Sequence, residues 1–311
     1  MPDLIGVRAT LLRLEKTWTA LPSNTRGALW MLISAVFFSG MAFLIKVLGQ
    51  KLDVTVVTFF RALFGLLTVL PFALRLGADG VKTRRLPLHL FRATIGAAAM
   101  SCGFYALTKL PLADAVAISF TRPLFLIVLA VTFLGEVVRI RRWSATFVGF
   151  IGVVVMVRPS VDIEAASIIA LVGTFFVAVA VVCVKKLSTT ERPTVMLFYF
   201  GIVSTIVTAV PAAYYWRTPT GPELIALLGV GALAATGQVC VIRSLTVGEA
   251  TAVAPLDYTR LLFAAVIGYM FFAEVPDIWT WVGAGIVISA SVYIAQREAR
   301  LGRKPAPPDQ A

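Results

Sequence analysis

Three arginines and one aspartate stand inside apolar runs long enough to cross a lipid bilayer, and theirs is the chemistry that needs explaining. Arg122 closes the triplet Phe120-Thr121-Arg122 and Arg260 closes Tyr258-Thr259-Arg260, each near the middle of its run, with Arg61 a little off the centre of an earlier one. A charge at mid-bilayer costs roughly 2.5 to 3.5 kcal/mol on insertion scales, so such groups tend to face a bundle interior or a wet cavity. A guanidinium presents a fixed fork of donors that suits a carboxylate or phosphate, which makes Arg122, Arg260 and Arg61 candidate substrate ligands. A second reading stays open, in which the protein neutralises each one. Asp257 lies three residues before Arg260 and can pair with it, and prolines free backbone carbonyls nearby.

Asp257 is the one carboxylate well inside an apolar run. It is the candidate for proton coupling if its pKa is raised, but an adjacent cation favours the charged form and a permanent ion pair. Pro123 and Pro255 each remove a helix hydrogen bond near mid-run and are candidate hinges, with a static kink as the alternative. Phe120, Tyr258 and Tyr105 offer surface on which a planar substrate can stack, although most aromatics of such a protein face lipid or other helices. Arg92 reads as a side chain snorkelling to headgroups, and Glu136 and Glu274, at run ends, as interfacial structural residues.

The elements that must position these residues are apolar helices. The chain is 59% hydrophobic and 14% charged with a mean hydropathy of +0.89, against about one quarter charged for a soluble domain. Spans of roughly 17 to 25 residues are expected at 28–47, 54–74, 88–108, 112–134, 143–158, 165–184, 194–215, 224–243, 250–272 and 278–296. These runs lack the alternation of lumen-facing polar residues, so they read as helices, and the class is an all-α polytopic membrane protein with ten transmembrane helices. Residues 1–26 read as a cytoplasmic segment, either interfacial or irregular, with no signal peptide, and 297–311 as a Pro-rich polar tail.

The net charge of +12 reports topology here rather than a nucleic-acid partner. Most Lys and Arg gather before the first span, in Arg75 to Arg85, Arg139 to Arg142 and Lys185 to Arg192, at Arg243, and after the last span. The positive-inside bias then puts both termini in the cytoplasm of a cell membrane, on this reading the inner membrane of a bacterium. Cys102, Cys183 and Cys240 lie within spans and His89 is the single histidine, so no metal site and no cofactor is expected. No Gly-x-x-x-x-Gly-Lys loop is present, which excludes an ATP-driven pump within this chain.

Sliding the chain against itself exposes a repeat. At an offset of 138 positions Phe120-Thr121-Arg122 meets Tyr258-Thr259-Arg260, Leu124-Phe125 meets Leu262-Phe263, Phe133 meets Phe271, Glu136 meets Glu274 and Trp143 meets Trp281. At 139 positions Lys46 meets Lys185, Thr55 meets Thr194 and Phe59 meets Phe198. Two halves of five spans, 27–158 and 159–296, must lie upside down relative to each other, because five is odd. This is an inverted-topology repeat, the plan by which two alike halves around one centre give inward- and outward-opening states.

The stretch Thr121 to Met156, with its copy Thr259 to Ile294, resembles the terminal part of an EamA domain of the drug/metabolite transporter superfamily. Gly27 to Lys46 and Phe59-Phe60-Arg61 resemble the family's first and second helices, while Phe200 stands where a second-half partner of Arg61 would be. The resemblance implies secondary transport of a small organic metabolite, amino-acid-related or anionic, usually exported. An importer or exchanger of a larger cofactor-like metabolite, such as riboflavin or S-adenosylmethionine, is the alternative it leaves open. An intramembrane transferase would need His, Asp or Glu clusters at one membrane face, and the sequence has none. The partners expected are therefore a small-molecule substrate and the lipid bilayer.

Overall fold

The computed structural model describes residues 21–134, 140–157, 165–187, 189–248 and 253–302. The N-terminal segment up to residue 20, Glu136 and the tail from residue 303 lie outside them. All regular structure in the described residues is helical: α1 (Ser23–Leu48), α2 (Val54–Arg75), a single helical turn (Gly77–Gly80), α3 (Leu86–Lys109), α4 (Leu112–Ser119), α5 (Arg122–Leu134), α6 (Ile140–Val157), α7 (Ala165–Leu187), α8 (Pro193–Tyr214), α9 (Gly221–Val247), a 3-10 segment (Ala254–Thr259), α10 (Arg260–Phe272) and α11 (Ile278–Gly302). Starts are set locally. Asp53 accepts from the Thr55 amide at 2.8 Å, and α3, α8 and α9 carry Pro87, Pro193 and Pro222 in the first turn, where a missing N–H costs nothing.

Among the described residues, seven helical segments are long and apolar enough to cross a membrane: 23–48, 54–75, 86–109, 112–133, 165–187, 193–214 and 221–247, with shorter apolar stretches at Ser144–Val155 and Ile278–Ala290. The fourth and ninth expected runs are not continuous α-helices. The fourth breaks between α4 and α5, and the ninth begins as the 3-10 segment before α10 takes over. Polar side chains inside the helices are satisfied at home: Thr58, Thr174 and Thr208 each donate to the carbonyl four residues back, at 2.7 to 2.9 Å. The outward surface is apolar, with Phe72, Phe147, Ile206, Val210, Ile225 and Met270 all exposed, as a lipid-facing surface requires.

The most extensive packing joins one half to the other: α1 to α9, α3 to α7, α2 to α8 and α6 to α11. Exchanging each helix for its repeat mate maps these contacts onto one another, and also maps α5 with α7 onto α10 with α1, the reciprocity a pseudo-twofold axis produces. Opposite ends gather different segments. The end of α1 meets the α3–α4 turn and the residue after α10, whereas the end of its mate α7 receives Arg85, which donates to the Lys186 carbonyl at 2.9 Å. At the start of α1, Ser244 of α9 donates to the Gly27 carbonyl at 2.7 Å.

Glycines set the closest approaches. A β-carbon on Gly152 would stand 2.9 Å from the Gly283 carbonyl oxygen and 2.9 Å from Ile286 Cβ, so α6 and α11 touch backbone to backbone. Gly149 and Gly152 thus serve packing inside the bundle, while Gly285 faces open space. We expect Gly152→Leu to destabilise the detergent-solubilised protein by roughly 1 to 3 kcal/mol through overpacking. Thermal unfolding would show it as a lowered Tm, with Gly285→Ala unchanged or raised as the control.

Candidate substrate site at two helix breaks

The two breaks fall at matched positions and are built alike. Thr121 donates its hydroxyl to the Ile118 carbonyl at 2.8 Å, and Thr259 does the same to Leu256 at 2.7 Å. In the first half the amides of Phe120 and Thr121 reach back three residues, to Ala117 and Ile118, at 3.0 and 3.1 Å. These tight turns close the backbone groups that the breaks release. Each α-helix then restarts on an arginine, Arg122 or Arg260.

Both prolines occupy first turns. Pro123 is the second residue of α5 and Pro255 the second of the 3-10 segment, so each opens an element instead of kinking the interior of one.

Arg260 is held by two groups. Its Nη2 donates to Asp257 Oδ2 at 2.5 Å, and its guanidinium carbon lies 4.9 Å from the ring centroid of Phe38 on α1. Both side chains of the pair retain 22% exposure, although Asp257 Oδ1 and Arg260 Nε are buried without a hydrogen-bond partner. Arg122 is different. It lies within electrostatic reach of Arg260, Asp257 and Tyr258, yet it hydrogen-bonds to none of the described residues. Among the described residues, two guanidiniums against one carboxylate leave one positive charge uncompensated.

The paired aromatics meet each other. Phe120 and Tyr258 pack edge to face with centroids 4.8 Å apart, and Phe120 is only 3% exposed, so the pair stitches the two breaks together. Tyr105 is half-buried on α3 against the same core, which also holds Leu124, Ile127, Leu261 and Val287. Arg61 stands apart on α2: its Nη1 folds over Gly65 of the same helix, and no described carboxylate pairs with it. Two surface clefts of about 300 and 330 Å³ have apolar linings that contain neither Arg122 nor Arg260. Among the described residues, no group of three or more His, Cys, Asp or Glu is placed to hold a metal ion.

Three features depart from the sequence reading or lie beyond it. Arg92 does not snorkel: its Nη1 donates to the Met196 carbonyl on α8 at 2.9 Å and its guanidinium lies 4.8 Å from the centroid of the Phe200 ring. Phe38 beneath Arg260 carries no sequence signal. Glu274 is tied to Lys46 of α1 and to the start of α4, a cluster that was visible only as matched Lys and Glu positions on the repeat diagonals.

Broken helices from two related halves, meeting around buried arginines, define a polytopic membrane carrier and not an enzyme. The model of the EamA-like transporter family matches residues 25–158 and 165–296, and the chain belongs to that family. It is 34% identical to an S-adenosylmethionine uptake transporter of Rickettsia felis, over 92% of this chain and 98% of the relative. A riboflavin transporter of Rhizobium johnstonii is 31% identical over 90% and 94%, and a pseudopaline exporter of Pseudomonas aeruginosa 30% identical over 87% and 96%. A solved crystal structure superposes with a TM-score of 0.60 at 15% identity, covering 90% of this chain and 99% of the other, and thus shares the fold.

Removing the carboxylate should strand Arg260. Asp257→Asn is expected to destabilise the protein by roughly 3 kcal/mol, the scale seen when one partner of a buried pair is removed. A double-mutant cycle with Arg260→Gln, read by thermal unfolding, would recover most of that loss. Additive single effects would show that the pair is not coupled.

Proposed function

We propose that this protein is an alternating-access transporter of ten spans, built as two inverted halves with both termini cytoplasmic. Its substrate is a small metabolite that carries one ionised carboxylate or phosphate. The observation that carries this reading is Arg122, a guanidinium at a helix break with no hydrogen bond to the described residues, beside an Asp257–Arg260 pair that leaves the site net positive. Helix restarts at both breaks add the positive ends of two helix dipoles on the same side of the ledger. The inverted arrangement is supported by the reciprocal packing and by the opposite placement of the ends of α1 and α7. Cytoplasmic termini are supported by the charge bias of the connecting segments.

An amino acid joined to a nucleoside meets this description, and S-adenosylmethionine is the substrate we assign, in the uptake direction, following the S-adenosylmethionine uptake transporters that are 34% identical to this chain. Its carboxylate would take the Arg122 fork. Asp257 is assigned the role of fixed counter-ion to Arg260 rather than proton carrier. The second reading, a riboflavin-like planar molecule, draws on the relative at 31% identity and on the aromatic pair Phe120 and Tyr258, but it gives Arg122 no anion to bind.

Uptake of labelled S-adenosylmethionine into proteoliposomes, with excess riboflavin or methionine as competitor, separates these readings. Arg122→Ala is expected to lower uptake roughly tenfold to hundredfold, the loss of a charge-assisted hydrogen-bonded contact. Arg122→Lys should fall between, since it keeps the charge and loses the fork. Full uptake by a folded Arg122→Ala protein would remove Arg122 from the site, and riboflavin uptake without S-adenosylmethionine uptake would favour the second reading.

A further inference from the structure

Each end of the bundle has a joint where a connection of one half lies against the other half, and the exchange of helix mates carries one joint onto the other. Where α8 runs into α9, Arg217 donates to the Lys51 carbonyl of the α1–α2 connection at 2.6 Å and to Glu223 Oε1 at 3.0 Å. At the opposite end Arg85, of the α2–α3 connection, likewise donates to the Lys186 carbonyl at the end of α7, at 2.9 Å. The carboxylates of the two joints differ in their company. Glu223 sits against an arginine, which is always charged, whereas Glu191 of the α7–α8 connection sits against His89, the single histidine of the chain.

His89 is 1% exposed in the first turn of α3, and neither of its ring nitrogens has a hydrogen-bond partner. Its Nε2 stands 3.9 Å from Glu191 Oε1, just beyond hydrogen-bond length. The carboxylate is already aimed: the same Oε1 accepts from the Thr83 hydroxyl at 2.6 Å, and Thr83 Oγ1 in turn accepts from the Arg85 amide at 3.0 Å. On the side of α8, the Tyr199 ring packs on the imidazole with centroids 4.8 Å apart, its hydroxyl donating to the Val81 carbonyl at 3.1 Å. Arg92, on the same helix, is the other charge within electrostatic reach of the ring, and its guanidinium is taken up by the Met196 carbonyl and the Phe200 ring. A neutral imidazole here leaves a buried donor unsatisfied. A protonated one gains a charge-assisted hydrogen bond to Glu191 once the gap closes by about 1 Å.

We propose that His89 and Glu191 form a proton-binding site, and that a proton taken up on His89 Nε2 draws Glu191 onto the ring and tightens the joint between the α2–α3 and α7–α8 connections. The proton comes from water at that end and joins the lone pair of Nε2 in the tautomer whose own proton is on Nδ1; its release reverses the step. The joint at the other end, closed by Arg217 and Glu223, keeps its charges through the same change. The site stands on geometry alone, while its use in transport rests on the reading above, in which this end faces the cytoplasm. There the joint loosens as the cytoplasmic pH rises and tightens as it falls. His89 and Glu191 are positioning residues, since neither is placed against the substrate.

The lone histidine makes the test direct. In protein purified without a histidine tag and carrying nitrogen-15 histidine, every imidazole signal in a nuclear magnetic resonance titration from about pH 5 to pH 8 belongs to His89. One protonation step is expected in that range. Glu191→Gln, which keeps an acceptor for Thr83 and removes the charge, should weaken proton binding about tenfold, and Glu191→Asp should restore most of it. Spin labels on Arg84→Cys and Thr189→Cys, with Cys102, Cys183 and Cys240 replaced by Ala, should show the distance across the joint lengthening as His89 loses its proton; His89→Gln should abolish that pH dependence. Labels on Gln50→Cys and Thr218→Cys, across the opposite joint, should report no change over the same range. Absence of the protonation step, an unaltered step in Glu191→Gln, or a joint distance indifferent to the protonation of His89 would overturn the proposal, whatever the protein carries. Titration and joint movement as stated, in a protein that takes up no labelled S-adenosylmethionine, would sustain the proton site and count against the transport reading.

Discussion

Hydrocarbon offers no water to an unpaired N–H, C=O or charge, and this constraint governs how two apolar helices of a membrane protein can be broken. The breaks at Thr121 and Thr259 survive because the 3-10-type turns and the two threonine hydroxyls take up the released carbonyls on the spot. The arginines that follow are tolerated for the same reason only in part. Arg260 pairs with Asp257 and lies over Phe38, with its Nε left unpartnered, whereas Arg122 finds no hydrogen bond in the described residues.

The halves contribute unequally at the centre even though they are alike in outline. Matching positions supply Arg122 and Arg260, Phe120 and Tyr258, Thr121 and Thr259, but Asp257 has only Ser119 opposite it. That difference converts a symmetric pair of cations into one closed ion pair and one open cation. The axis relating the halves thus orders the scaffold, and its local violation creates polarity at the site. The same relation holds at the ends of the bundle, where Lys46 is buried and Lys185 exposed.

Much of this was legible in the amino-acid sequence because lipid demands unbroken apolar length, and a repeat leaves a diagonal that survives divergence. The boundaries of α2 and α8, and of α5 and α10, agree with the diagonals to the residue. The breaks were not legible: one turn of 3-10 helix has the same apolar composition as the α-helix it interrupts, and Pro123 reads equally well as an interior kink or a first-turn residue. Arg92 was misjudged because sequence gives its depth but not the Met196 carbonyl that α8 brings beside it. The Asp257–Arg260 pair, by contrast, followed from a spacing of three on one strand of chain. Long-range partners such as Phe38 and the α3–α4 turn depend on tertiary packing, which composition and periodicity do not encode.

Because the broadest contacts of nearly every helix in the first half are with the second, α1 to α6 leave the ribosome with their principal packing faces uncovered. Chain synthesis must continue to α11 before α6 can seat its Gly152 face against Gly283, so a nascent or truncated half offers bare helix surfaces to lipid, chaperones or proteases. Packing between the halves is thus completed only when α11 arrives, after α7, α8 and α9 have offered their faces to α3, α2 and α1 in turn.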